Sequence, residues 1–157
     1  MARAARATQA GLVPLVIADL YELAGAFRRN GERIARGLGQ TQTRWQVLSA
    51  ASAEPKSVPQ LARRLGVTRQ NVQRIADLLV ADELARFAGN PDHRTSPHLV
   101  LTEAGRKALD ELTRAAQSFH ESLAARLGAV PLAAVRRELS RIRSALATIS
   151  AEEDADE

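Results

Sequence analysis

The segment from residue 57 to residue 76 reads SVPQLARRLGVTRQNVQRIA and predicts a helix, a tight turn and a second helix. Ser57 can cap the first helix, and Gln60 three residues later completes a capping box. Gly66 supplies the turn, and Thr68 caps the second helix. The apolar residues of that second helix share one face at helical spacing, namely Val72, Ile75, Ala76, Leu79 and Val80. This pattern predicts a helix-turn-helix.

The other face of the second helix carries basic and amide side chains, with no acid before Asp77. These side chains are Arg69, Gln70, Asn71, Gln73 and Arg74. Planar guanidinium and amide groups match the hydrogen-bonding edges of bases and the oxygens of phosphates. A helix with such a face after a glycine turn is typical of one that enters a DNA major groove. A polar stripe can also be a solvated surface, but the capping box and the turn favour DNA contact.

The residues around this recognition helix extend the expected interface. Thr68 stands at the start of the helix, where we expect it to contact DNA. Arg63 and Arg64 lie on the preceding helix, which crosses the DNA backbone in a helix-turn-helix. We therefore expect a phosphate contact from one or both of these arginines.

Two short runs with strand character follow, Leu84–Ala88 and Pro97–Leu101, and the turn signal Asn90-Pro91-Asp92 lies between them. A two-stranded hairpin directly after a helix-turn-helix is a wing. Its tip carries His93 and Arg94. We expect Arg94 to reach a minor groove or a flanking phosphate, and His93 to flank the DNA.

Asp92 at the wing tip has a different expected role, because a carboxylate repels phosphate. It can hold Arg94 or an arginine of the recognition helix in position through a charge-assisted hydrogen bond. Asp92 can also be a simple turn residue after Pro91, and both interpretations can hold together.

Long helices are predicted on either side of this central module. Residues 12–38 and 44–52 read as two helices before it, and Thr102 caps a further helix that runs to about Leu127. Gly128 ends that helix, and Pro131 opens the last one. The last helix alternates spacings of three and four in an apolar seam formed by Leu132, Val135, Leu139, Ile142, Leu146 and Ile149. Such a narrow stripe seeks other helices, within the chain or in a second copy.

From about Leu12 to Ile149 the chain resembles the MarR family of winged-helix regulators. Three pieces carry the resemblance: TRWQVL at 43–48, LARRLGVT at 61–68, and NPDHR at 90–94 followed by LVLTEAGR at 99–106. The Asp-x-Arg wing followed by Leu-Thr-x-x-Gly is the most specific of these. The family usually has a glycine between the recognition helix and the wing. Here Asp82 and Glu83 stand there, so one of them must take the turn at some strain.

The resemblance implies a mainly α fold: a winged helix-turn-helix with long N- and C-terminal dimerisation helices and a two-stranded β-hairpin wing. It makes residues 1–157 a single domain, with the winged module at 41–104 and dimerisation helices at 12–38 and 105–150. It also implies a homodimer that binds double-stranded DNA at a pseudo-palindromic operator. Such a regulator is expected to be a repressor that a small ligand releases.

Composition and charge fit a DNA-binding protein. The net charge is +4, and five of the 18 acids fall in residues 151–157, so we expect this stretch to be a disordered acidic tail. A basic body is the electrostatic footprint expected for DNA. No apolar run looks long enough to span a bilayer and no signal core is present, which predicts a cytoplasmic protein without a membrane partner.

The family resemblance suggests a ligand cleft between the dimerisation helices and the winged module. Tyr21, Phe27, Arg44 and Trp45 could border it, and an arginine beside aromatic rings suits a small aromatic or anionic effector. Trp45 can equally be a core residue, as a lone Trp on an apolar helical face usually is.

Metal sites, cofactors and catalysis are not expected. The chain has no cysteine, which excludes disulfides, thiolate metal sites and cysteine-based redox sensing. The histidines, His93, His98 and His120, match no strong metal-binding spacing. No nucleophile–base pair or phosphate-binding glycine loop is visible, so the chain is not expected to be an enzyme.

Two other classes of function remain open at this point. The first is a winged-helix protein-interaction module that no longer binds DNA, and the basic recognition face argues against it. The second is a redox or metal sensor, which the absence of cysteine disfavours.

Overall fold

The computed structural model describes residues 8–91 and 93–155 of the chain, with side chains through residue 152. Its helices are α1 (Gln9–Arg36), α2 (Gln42–Ser52), α3 (Val58–Leu65), α4 (Arg69–Ala81), α5 (Glu103–Leu127) and α6 (Leu132–Ala155). Its strands are β1 (Lys56–Ser57), β2 (Ala85–Ala88) and β3 (His98–Leu101). The chain divides into one compact unit that ends at Ser118 and a second that begins at Phe119.

The predicted helix-turn-helix is confirmed as α3 and α4. Gln60 Oε1 accepts a hydrogen bond from the backbone N–H of Ser57 at 2.8 Å, as a capping box requires. Gly66 ends α3 in the left-handed region at φ 65°. Thr68 Oγ1 then accepts from the N–H of Asn71 at 3.3 Å and caps α4. Local chemistry therefore sets the start of both helices and the turn between them.

The wing belongs to a sheet of three strands, in the order β1-β3-β2, rather than of the predicted two. β2 and β3 form the expected antiparallel hairpin, with Phe87 opposite Leu99. β1 pairs with the other edge of β3, where Lys56 lies opposite Leu99. A strand of two residues is too short to show the alternation of apolar and polar residues that predicts a strand. Its hydrogen bonds also depend on β3, which lies far away in sequence.

The turn between α4 and the wing is strained at the predicted position. Glu83 adopts a φ of 57°, and no other non-glycine residue among those described has a positive φ. L-residues with side chains pay a steric penalty in that region. The Thr102 hydroxyl donates to the Glu83 carbonyl at 2.7 Å and the N–H of Leu84 donates to the Leu79 carbonyl at 2.8 Å, which together hold the turn closed.

The start of α5 is packed against this turn. The N–H of Gly105 donates to Thr102 Oγ1 at 3.0 Å, which confirms Thr102 as the cap of α5. A Cβ placed on Gly105 would lie 1.8 Å from the Leu84 carbonyl oxygen. The glycine of the Leu-Thr-x-x-Gly motif is therefore required by the close approach of two backbone segments.

The core of the first unit lies within the winged module and the elements that flank it. Its fully buried large side chains come from α2, α3, α4, β3 and α5, and are Val47, Leu48, Leu61, Val72, Leu79, Leu99 and Leu112. Trp45 is half-buried and packs against this cluster, consistent with its interpretation as a core residue. This packing seats α4 with its apolar face inward and its polar face outward.

α1 and the end of α6 correct two expectations. α1 contains an 18-residue stretch of mean hydropathy 1.5, none of it buried, so by length and composition it could cross a membrane. The expectation that no such run exists was wrong, because Asp19 and Glu22 interrupt the run without removing its apolar character.

α6 continues to Ala155, so residues 151–155 are helical rather than disordered. Alanine and glutamate favour that continuation.

Candidate nucleic-acid interface

The outward face of α4 presents the predicted basic and amide side chains. Arg69, Gln70 and Arg74 are exposed, and Asn71 is half-buried at the edge of the face. The opposite face is buried through Val72, Ile75, Ala76 and Leu79. Because the helix is fixed by that packing, its polar face has a single orientation relative to the wing.

Gln73 differs from its neighbours on this face. Its side-chain amide is exposed but donates to Asp77 Oδ1 at 2.7 Å. A base contact by Gln73 would have to replace or share that hydrogen bond, whereas Gln70 makes no hydrogen bond to another side chain in the described residues. The structure therefore leaves the amide of Gln70, rather than that of Gln73, free for another partner.

A groove of about 410 Å³ lies between α4 and the wing. It is lined by Val58, Pro59, Arg69, Gln70, Gln73, Phe87, Thr95, Ser96 and Pro97. Thr95 and Ser96 were not predicted as site residues, since two small polar residues in a loop give no signal of their own. They line the same groove as Arg69 and Gln70, so the wing and the recognition helix border one groove, whose lining is mostly apolar.

The wing tip is organised by Asn90 in the described residues. Its side chain is buried, and its amide donates to the Ser96 carbonyl at 2.8 Å across the loop. The N–H of Ser96 in turn donates to the His93 carbonyl at 3.1 Å. His93 and Arg94 are exposed at the tip. Asp92 lies outside the described residues, so its predicted role in holding an arginine stays a prediction.

Arg63 and Arg64 are exposed on α3, as the predicted phosphate contacts require. The two are not equivalent. A hydrogen bond from Lys56 and its positive charge hold the pKa of the Glu54 carboxyl below its usual value, and Arg64 adds to that effect. Arg64 therefore lies close enough to Glu54 to act on its charge.

The predicted effector residues occupy different environments. Tyr21 and Phe27 are exposed on α1. Arg44 is largely buried and its guanidinium lies 2.6 Å from the Asp82 carboxylate, which ties the start of α2 to the end of α4. Trp45 packs against the core. Arg44 and Trp45 are thus engaged in structural contacts, and sequence reasoning did not anticipate the partner of Arg44.

Metal ligands are not clustered in the part of the chain that the structure describes. No group of three or more histidine, aspartate or glutamate side chains within it could hold a metal ion.

Comparison with known proteins decides the family. A model of the MarR family matches residues 37–94, which cover the winged module. An uncharacterized protein of Mycobacterium tuberculosis is 51% identical over 131 residues, which cover 83% of this chain and 92% of that protein. An uncharacterized protein of Mycobacterium bovis matches equally well. The chain belongs to the MarR family.

Solved structures of transcriptional regulators share the MarR fold with this chain. The regulator BldR from Sulfolobus solfataricus has a TM-score of 0.73 at 20% identity, over 87% of this chain and 98% of its own. M. tuberculosis MosR, solved in complex with DNA, has a TM-score of 0.67 at 23% identity, over 85% and 96%. A Staphylococcus aureus MarR in complex with salicylate and kanamycin has a TM-score of 0.72 at 12% identity, over 87% and 93%. Family and fold are those of transcriptional regulators.

Proposed function

We propose that this MarR-family chain binds double-stranded DNA as a homodimer and regulates transcription. The observation that carries the proposal is the outward face of α4, where Arg69, Gln70 and Arg74 are exposed and the first two line the groove shared with the wing. No acid interrupts the first two turns of that helix. Guanidinium and amide groups held on a rigid helix are suited to base edges, and the wing supplies arginine for the backbone or minor groove.

The homodimer is supported by apolar surface that the single chain leaves uncovered. The six seam residues of α6 are 37–60% exposed, and α1 exposes Leu12, Leu15, Val16 and Leu23 as well. Exposed apolar surface on each of these helices marks an interaction site in a soluble protein. A second copy that covers α1 and α6 accounts for the hydropathy of α1 without a membrane.

Repression and release by a ligand complete the proposal. A dimer that occupies a pseudo-palindromic operator would block transcription, and a small aromatic or anionic effector would weaken its hold on DNA. The family resemblance supports this model, and so does the salicylate in the complex of the S. aureus MarR. Repression and release by a small ligand both fit a cytoplasmic protein that acts without a cofactor.

Selection of bound sequences from a random DNA pool tests the central claim. The full chain should enrich two related half-sites whose centres lie about 10–10.5 base pairs apart, or a multiple of that distance. Gln70→Ala should relax the preference at one position in each half-site and cost about 1–3 kcal/mol of binding free energy. Gln46→Ala, an exposed glutamine on α2, is the matched control and should leave the consensus unchanged.

Failure to enrich any sequence would overturn DNA binding and favour the alternative, a winged-helix module that contacts proteins. The exposed basic face of α4 speaks against that alternative, because clustered arginine and amide side chains without an acid are the electrostatic pattern expected for DNA.

A variant of Arg94 tests the contribution of the wing separately from that of the recognition helix. Because it is exposed at the hairpin tip, Arg94→Ala should weaken binding to all sequences by a similar factor. The slope of log affinity against log salt should fall by about one unit. Affinity measured by fluorescence anisotropy at several salt concentrations checks this. A change in sequence preference without a change in slope would instead place Arg94 on a base edge.

A further inference from the structure

The turn between α4 and the wing is tied to α2 by an ion pair. The guanidinium of Arg44 lies 2.6 Å from the carboxylate of Asp82, the residue at the C-cap of α4. Only three residues, 82–84, join α4 to β2. A shift at the end of α4 is therefore passed directly to the wing, and the ion pair acts at the point that these two elements share.

The conformation of this turn depends on contacts from both of the helices around it. Glu83 is held at a φ of 57°, a region that residues with side chains avoid. The Thr102 hydroxyl at the start of α5 donates to the Glu83 carbonyl at 2.7 Å, and Arg44 reaches Asp82 from α2. A strained backbone persists only when its surroundings determine it. The contact from α2 therefore helps to set the direction in which the chain enters the wing.

The surroundings of Arg44 are poor for stability alone. Its side chain is only 15% exposed, whereas that of Asp82 is 53% exposed. The Nε of Arg44 is buried and has no acceptor among the described residues. Desolvation of the charge and the unsatisfied donor both oppose folding, and a partner that is half in water offsets little of this. A contact of this kind is better suited to specifying a geometry than to adding stability.

We propose that Arg44 and Asp82 are positioning residues that hold the end of α4, and with it the wing, in the geometry that DNA recognition requires. This proposal rests on the proposed function. The pair acts through α4 rather than by touching DNA, because Asp82 lies at the opposite end of the helix from Arg69, about 20 Å away at the rise of an α-helix. It gives Arg44 a role other than the effector binding that the sequence suggested.

A neutral variant of the pair separates positioning from stability. Arg44→Met with Asp82→Asn removes both charges and keeps side chains of similar size. Its free energy of unfolding, measured by urea titration, should match that of the wild type, because a largely buried ion pair can often be replaced by neutral side chains without loss.

Hydrogen exchange of the free protein tests the turn without DNA. The N–H of Leu84 donates to the Leu79 carbonyl across the turn. In the neutral variant this amide should exchange at least about tenfold faster, since the turn opens locally more often. The amide of Leu48 in the core should exchange at the rate of the wild type.

The DNA readout is the ratio between the affinity for the sequence selected by the wild type and the affinity for unrelated DNA. The neutral variant should lower this ratio at least about tenfold, because α4 and the wing no longer reach the selected site together. A loss of folded protein would instead lower both affinities equally and leave the ratio unchanged. Arg44→Lys keeps the ion pair and should keep the ratio within about threefold of the wild type.

The ion pair between Lys56 and Glu54 provides the matched control. Its lysine is 11% and its glutamate 69% exposed, close to the values for Arg44 and Asp82. It lies at the start of β1, which β3 separates from β2. Lys56→Met with Glu54→Gln should change neither the affinity ratio nor the exchange of Leu84 by more than about twofold, a small part of a tenfold change. An equal effect in this control would overturn the positioning role.

Failure of this proposal can be told apart from failure of the proposed function. If the wild type bound DNA selectively and the neutral variant kept the same ratio, DNA binding would stand and the positioning role would be wrong. If the wild type enriched no sequence, the proposed function would be wrong. The exchange rate of Leu84 would then still decide whether the pair holds the turn, and an unchanged rate in the neutral variant would overturn that as well.

Discussion

Leucine side chains are buried in the winged module but exposed on the long helices α1 and α6. Leu48, Leu61 and Leu79 of the module are fully buried, whereas Leu15 of α1 and Leu146 of α6 are 61% and 60% exposed. Full burial of a leucine contributes about 1.5–3 kcal/mol relative to leaving it in water. The module therefore buries its apolar residues in its own core, whereas α1 and α6 expose apolar residues that can be buried only against another surface.

This difference assigns separate tasks to the two regions. A module with a closed core can hold α4 and the wing in a fixed geometry, as recognition of DNA requires. An incomplete apolar face makes assembly favourable, and in the proposed function assembly would place two such modules on one operator. The predictions below test whether the two regions are as different as their exposure indicates.

The largest effect is expected at the seam of α6. Leu139→Asp places a charge where the second copy is expected to pack, and should turn the dimer into a monomer. A dimer gains from binding two half-sites at once, so DNA affinity should fall at least about a hundredfold. Light scattering measures the assembly, and fluorescence anisotropy measures the affinity.

Ser144→Asp is the control for that experiment. It adds the same charge to an exposed position of the same helix, off the seam. It should leave both the dimer and the DNA affinity unchanged. If the Leu139→Asp variant remained a dimer, the conclusion that the apolar seam of α6 is covered by a second copy would be wrong.

A second test compares two neighbouring leucines of α4. Leu79 is fully buried and Leu78 is 42% exposed. Leu79→Ala should lower the free energy of unfolding by about 2–5 kcal/mol, since it leaves a cavity in the core. Leu78→Ala should cost well under half of that, because the lost side chain is partly in water already. Urea unfolding monitored by circular dichroism gives both values, and equal costs would contradict the description of α4 as a helix with one buried face.

A smaller effect is expected where the module meets α5. Gly105→Ala would drive its Cβ into the Leu84 carbonyl and should cost about 1–3 kcal/mol of unfolding free energy. Gly89→Ala is the control, because a Cβ there meets nothing within 4 Å. Thermal unfolding of the two variants side by side measures the difference. If Gly105→Ala were as stable as Gly89→Ala, the close approach of α5 to the wing would not be a constraint.

Much of the winged module could be predicted because its signals are local. The Ser57–Gln60 box, the glycine turn and the Thr68 cap each depend on residues within four positions of one another. The strained turn was predicted for the same reason, and Glu83 takes it. β1 and the Arg44–Asp82 pair could not be predicted in this way, since their partners lie 38 or more residues away in sequence. The extent of α6 was misjudged because a run of acids resembles a tail, although alanine and glutamate favour a helix.

By itself, the sequence determined the helix-turn-helix, the wing, the exposed basic face of α4 and the apolar seam of α6, because each follows from periodicity and capping over a few residues. Only the tertiary structure decided which polar side chains are free. Arg44 is held by Asp82, and Arg28 and Arg29 line a cleft that α2 completes. The reason is physical: a hydrogen bond or ion pair depends on distances of about 3 Å, and such distances between remote residues are fixed only when the core packs.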